Sequence, residues 1–233
     1  MMRAPSRLVL FDIDGTLIRS GRAGVRGMNA AFARLHGRPD ALDGITFAGR
    51  TDRAIVAEVF MALGLDPTPE RFEALRDAYF THLEEELRKP VEGSGVLPGV
   101  GESLVALEQH PDVGLGLLTG NFERGAAIKL GHFGLWHRFG FGAFGDVHAD
   151  RRALVPIAIA QAERVTGARV PASRVVVIGD TPADVACAHA HGAVAIAVAT
   201  GPFSSHELAQ ERADLVLETL EDVPALLNVV AAL

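Results

Sequence analysis

Two hydrophobic periods alternate along the chain, and the place where the alternation stops divides it. Four short apolar runs bounded by turn residues show the unbroken hydrophobicity of parallel strands covered on both faces. They are Leu8–Phe11, Val113–Leu118, Val175–Ile178 and Ala193–Val198, with a weaker fifth at Leu215–Leu217. Helical patterns lie between most of them, over Gly101–Gln109, Glu123–Phe133, Ala153–Val165, Ala183–His191 and Ser205–Arg212. Strands alternating with helices predict βαβ units and an α/β, doubly wound parallel sheet.

From about Ser20 to Lys89 the strand signal vanishes. Apolar residues recur at three- and four-residue spacing over Ala23–Leu35, Arg53–Leu63 and Glu70–Leu87, which predicts three helices. Thr68, between Pro67 and Pro69, marks a turn and a helix start, and Lys89–Gly95 reads as a linker. The expected organisation is a sheet-bearing core of residues 1–18 and 94–233 with a helical insertion of residues 19–93.

Composition narrows the class. A chain of 233 residues accommodates one such core with an insertion. Its 48% hydrophobic and 22% charged residues are ordinary for a soluble globular protein. No apolar run is long enough to span a bilayer, so no membrane partner is expected. Arg3 and Arg7 precede only a brief apolar stretch, too short for a signal-peptide core. The lone Cys187 can form no internal disulfide, and a cytoplasmic location fits. A net charge of −7 argues against a nucleic-acid partner, which would demand excess basic charge. The basic residues are almost all arginine, Lys89 and Lys129 being the sole lysines.

Candidate chemistry gathers at three strand ends, where open α/β sheets bind ligands. Directly after the first strand stands Phe11-Asp12-Ile13-Asp14-Gly15-Thr16-Leu17. Two carboxylates there leave one free to attack phosphorus and a second to give a proton to the leaving oxygen. Leu117-Leu118-Thr119-Gly120-Asn121 closes the second strand, and a hydroxyl with exposed backbone N–H groups at such a turn can hold phosphate oxygens. In Val177-Ile178-Gly179-Asp180-Thr181-Pro182-Ala183-Asp184, a four-residue spacing brings two carboxylates towards one point. Oxygen ligands of this kind suit Mg²⁺; helix capping by Asp180, Thr181 or Asp184 explains part of the same pattern. Cys187, His189 and His191 read as packing and surface residues.

With these three motifs in this order, the sequence resembles the haloacid dehalogenase superfamily, in its phosphoglycolate-phosphatase-like branch, over nearly the whole chain. The resemblance implies a Rossmann-like core with an α-helical cap inserted between the first and second motifs. It implies that Asp12 is the nucleophile and Asp14 the general acid and base, with Thr119 binding the transferring phosphate. It also implies that Asp180 ligands Mg²⁺ together with Asp12 and the Asp14 backbone carbonyl, with Asp184 supporting the metal through water. The family's third motif, commonly Lys followed by Pro, departs here. Over Ala149–Pro156 the matching position holds Arg151, read as the basic residue in preference to Lys129, which is read as lying on a solvated helix face. In the cap, Ala48-Gly49-Arg50-Thr51-Asp52 precedes a helix. By the resemblance Arg50 and Thr51 would touch the substrate's non-reacting part; the competing reading is a helix cap at Thr51 or Asp52 with Arg50 solvated.

The expected activity is Mg²⁺-dependent hydrolysis of a small phosphorylated metabolite, phosphoglycolate-like, through an aspartyl-phosphate. A phosphosugar mutase shares every core motif. A dehalogenase typically lacks the second aspartate, and a phosphonate hydrolase needs a cap lysine that only Lys89 could supply. A receiver-type switch would lack the insertion, and a non-catalytic phosphate-binding module would be expected to lose a core carboxylate.

Overall fold

The computed structural model describes residues 4–146 and 148–233; Arg3 lies outside them. Strand β1 (Arg7–Phe11) has one residue after another closed off from water because sheet neighbours and helices cover both its faces. It pairs in parallel with β4 (Val113–Leu118) on one side and β6 (Val175–Gly179) on the other. Beyond β4 lies β5 (Phe141–Ala143); beyond β6 come β7 (Val194–Val198) and β8 (Leu215–Leu217). The order β5-β4-β1-β6-β7-β8 is that of a doubly wound parallel sheet. The chain leaves β1 towards β4 and returns to β6 on its opposite side, which opens a crevice at the carboxyl end of β1.

The pleat separates the strand side chains into two cores. Val9, Phe11, Leu117 and Ile178 pack with α4 (Val100–Glu108) and α9 (Val223–Ala231) on one face. Leu8, Leu10, Val175 and Val177 pack with α6 (Leu154–Thr166) and α7 (Pro182–His189) on the other, where α8 (Ser205–Gln210) adds Leu208. Each fully buried side chain of this kind contributes about 1.5–3 kcal/mol. Residues 151–153 form a single 3-10 turn before α6, and Phe141–Ala143, too short for a periodic signal, supplies an unforeseen strand. The helix over Val223–Ala231, nearly uniform in apolarity, was also absent from the periodic pattern.

Between β1 and β4 the chain forms a separate helical unit. The expected linker contains part of a short ribbon, β2 (Ile18–Arg19) paired antiparallel with β3 (Gly95–Val96), which ties the two ends of the insertion together. Helix α1 (Ala23–His36) buries Met28, Ala31 and Phe32. Helix α2 (Asp52–Ala62) starts at the Thr51 side chain, which accepts the Ala54 N–H. Helix α3 (Pro69–Leu87) starts at Thr68 with Pro69 in its first turn, where a missing N–H costs nothing. The three share one apolar cluster, joined by Phe122 from the loop before α5 (Glu123–His132). Phe122 is 1% exposed and stands edge-on to Tyr79 and Phe80, with centroids 6.4 and 6.3 Å away. Phe122→Ala is expected to destabilise the protein by ~3–5 kcal/mol, measured by denaturant unfolding, because it empties the joint between helical unit and sheet. Among the described residues no helix is long and apolar enough to cross a membrane.

Candidate active site

Register carries the chemistry to one level. Phe11 is paired with Leu117 and with Ile178, so Asp12, Thr119 and Asp180 emerge together at the ends of three adjacent strands. The Asp12 N–H continues the ladder by donating to the Ile178 carbonyl at 2.9 Å. Gly15 turns the chain away with φ +83°, and a Cβ there would run into the Asp180 carboxylate, so the turn demands glycine.

Asp12, Asp180 and Asp184 are buried, and an oxygen of each lies within 4.8 Å of the others. Among the described residues their one close counter-charge is Arg151, whose Nη2 lies 3.1 Å from Asp12 Oδ2 and 2.5 Å from Asp184 Oδ1. Burial, only partly opposed by Arg151, pushes the Asp12 carboxyl up to about 6. Burial, reinforced by the Asp12 and Asp184 charges, pushes Asp180 up to about 8. Three crowded carboxylates facing one guanidinium are short of positive charge. An all-oxygen donor set in that condition fits a hard divalent cation. Capping and clustering coexist at Asp184: its Oδ2 accepts the Thr181 N–H at 3.0 Å and hydroxyl at 2.7 Å, while Oδ1 faces Arg151. The Thr16 hydroxyl, not foreseen, donates to Asp180 Oδ1 at 3.3 Å.

A second cation stands beside Asp14. Lys129 is 5% exposed and reaches inward from α5, its Nζ 2.5 Å from Asp14 Oδ2 and 2.6 Å from Asn121 Oδ1. The expected solvated helix face is therefore corrected: Lys129 is the buried face of α5, drawn in by a carboxylate far away in sequence. Asn121 Nδ2 also donates to Asp14, at 3.0 Å, and to the Thr119 hydroxyl at 2.8 Å. The Ser20 hydroxyl, another unforeseen contact, donates to Asp14 Oδ1 at 3.2 Å. Burial would raise the Asp14 carboxyl, but Lys129, Asn121 and Ser20 together hold it below the usual range.

The cap-loop residues divide. Gly120 accepts the Asp52 N–H at 2.7 Å and has the Arg50 carbonyl where a Cβ would be, so loop and strand end touch backbone to backbone. Arg50 lines the cavity, but its guanidinium is engaged by Glu58 at 2.5 Å and by the Thr46 carbonyl at 3.2 Å. Thr51 is fully buried. Its hydroxyl caps α2 and donates to the Ala149 carbonyl at 3.0 Å, so it is a structural cap and does not line the cavity. Asp52, which does line it, accepts the Phe122 N–H at 2.9 Å. Tyr79 lines it as well, and nothing in the apolar spacing of α3 set it apart from the core residues around it. Cys187 is buried, donating to the Arg151 carbonyl at 3.2 Å, and His189 pairs with Asp214 at the surface.

A parallel sheet with carboxylates at two adjacent strand ends, a hydroxyl at a third and a helical unit over all of them defines a class of hydrolytic enzyme. The chain belongs to the haloacid dehalogenase-like hydrolase family, whose pattern it matches over residues 9–189, and it is a phosphoric monoester hydrolase. It is 28% identical over 220 residues to a phosphoglycolate phosphatase of Pseudomonas syringae, covering 92% of this chain and 77% of that one. A phosphoglycolate phosphatase of Agrobacterium fabrum is 28% identical over 218 residues, covering 93% and 90%. Among solved structures, CbbY from Rhodobacter sphaeroides, in complex with xylulose-(1,5)bisphosphate, superposes with a TM-score of 0.70 at 19% identity, covering 93% of this chain and 95% of that one.

Proposed function

We propose that this chain is a Mg²⁺-dependent phosphatase that hydrolyses a small phosphomonoester through an aspartyl-phosphate on Asp12. The observation that carries the reading is the placement of Asp12: at the end of the central strand, lining the cavity, with Arg151 on one side and the Lys129–Asp14 pair on the other. An Asp12 oxygen attacks phosphorus, the bond to the ester oxygen breaks, and that oxygen takes a proton from Asp14. Lys129 keeps Asp14 charged in the free chain; the negative phosphate arriving beside it offsets that bias and favours the protonated form. Water then attacks the phosphorus, Asp14 accepts its proton, and inorganic phosphate leaves Asp12 free. Thr119 and the backbone N–H groups of Gly120 and Asn121 hold the phosphoryl oxygens, and the helical unit acts as a cap that excludes water. Asp12, Asp180, the Asp14 carbonyl and, through water, Asp184 would hold Mg²⁺, which supplies the charge neutralisation that lets one anion approach another.

Two cations divide the family's third-motif role in this reading, with Arg151 on the nucleophile and Lys129 on the proton carrier. Arg151→Ala is expected to lower kcat by roughly 10²–10³-fold, the scale of losing one preorganised charge contact, and by more than Lys129→Ala does. A larger loss in Lys129→Ala would transfer the main electrostatic role to Lys129. Release of inorganic phosphate from a panel of small phosphomonoesters, phosphoglycolate included, tests the reaction class. Release from no member overturns it.

A further inference from the structure

The cavity over Asp12 continues into the helical unit. Its volume is about 490 Å³, within the range that encloses drug-sized ligands. Asp12, Asp14 and Thr119 form its floor. Its upper wall is the underside of the helical unit's own core: Val25, Met28, Leu42, Phe47 and Ile55. A glycolate-sized group would leave that wall in contact with water, forfeiting apolar area that a larger group would cover.

Charge points the same way. Arg50, a cation of the helical unit that lines the cavity, is already bound to Glu58 and the Thr46 carbonyl. What the helical unit presents in its stead is Asp52, a carboxylate held by the Phe122 N–H. Burial pushes its carboxyl up to about 6, against the influence of Lys129. An anionic leaving group would meet the carboxylates of Asp14 and Asp52. An ammonium would be drawn to them but repelled by Lys129, and would lose hydration against the apolar wall; an uncharged group meets neither cost. Arg19 and Arg22 also line the cavity, but both are exposed, where water and salt screen them, and Arg19 donates to the Thr200 carbonyl at 3.0 Å. The Tyr79 hydroxyl and the Lys129 ammonium flank one spot beside Gly24, so polar groups are available at the edge of the apolar wall.

We propose that the leaving group is an uncharged alcohol with an apolar body larger than glycolate, its carbon skeleton against Phe47 and Ile55. This inference rests on the phosphatase reading of the same site. The test compares kcat/KM of the full chain with Mg²⁺ for benzyl phosphate, phosphoglycolate and phosphoethanolamine, which are respectively uncharged, anionic and cationic at the leaving group. Benzyl phosphate is expected to exceed the other two by about tenfold or more, a margin typical of filling or leaving empty an apolar pocket. Phe47→Ala is expected to lower its kcat/KM by roughly tenfold while changing the other two by less than about twofold. Asp52→Asn, which keeps an oxygen for the Phe122 N–H, is expected to raise phosphoglycolate turnover and narrow the gap. Phosphoglycolate or phosphoethanolamine leading the three, or Phe47→Ala lowering all three alike, overturns this inference alone. Release from none of them overturns the phosphatase reading and this inference together.

Discussion

Asp12→Asn is expected to abolish turnover while leaving the fold intact. The amide keeps the shape of the side chain and the backbone N–H still donates to Ile178, so the end of β1 retains its place in the ladder. The change removes the attacking anion, and loss of a covalent nucleophile costs at least about 10³-fold in kcat. Stability should not fall with activity. Asp12 is a buried carboxylate whose ionisation is disfavoured by desolvation, and its Arg151 partner keeps Asp184 when Asp12 is neutral. Steady-state rates and a melting curve on the same preparation check both halves. Near-wild-type turnover would exclude Asp12 as the nucleophile, and a large drop in melting temperature would show the carboxylate to be structural.

Chelation is expected to stop phosphate release and to lower the melting temperature, most of all towards pH 8. The Asp12 carboxyl is pushed up to about 6 and Asp180 up to about 8, both chiefly by burial. Between the ordinary carboxylate range near 4 and those values, the folded chain binds more protons than the unfolded one. Metal-free stability therefore falls as pH rises through that window. Asp14, held low by Lys129, acts in the opposite sense but below the window. A cation bound to the ionised carboxylates reverses the loss. At a hundredfold excess over its Kd it adds ~2.7 kcal/mol, roughly 5–10 °C in melting temperature for a chain of this size. Asp180→Asn should abolish that rise. Phosphate release unchanged by chelator, or a metal-free melting temperature that does not fall between pH 4 and 8, would count against a cation at the Asp12–Asp180–Asp184 cluster.

How far the site was legible varied by residue. Asp12, Thr119 and Asp180 could be placed together because each ends an apolar run, and in a parallel sheet the ends of neighbouring strands meet. Asp184 followed from its spacing to Asp180. Lys129 was misplaced because α5 is short and carries no strong apolar stripe; a lysine on such a helix looks solvated until a distant carboxylate is known to lie beneath it. Thr51 carried two readings of equal chemical sense, cap and substrate contact, and only its neighbours distinguish them. Asp52 stood just before a helical pattern, where a cap explains an aspartate, and Tyr79 sat inside one, with nothing local to separate a cavity wall from a core.

The amino-acid sequence by itself determined the layered α/β architecture, the helical insertion and the level at which the carboxylates emerge. All of these follow from periodicity and from turn residues a few positions away. The tertiary structure alone decided which cation faces which carboxylate, that Arg50 is already engaged, and that an apolar wall with Asp52 in it closes over the nucleophile. Those outcomes depend on contacts between residues as far apart as Asp14 and Lys129, or Asp52 and Phe122. Such contacts are set by how helices dock on a sheet, and no local pattern in the chain encodes the docking.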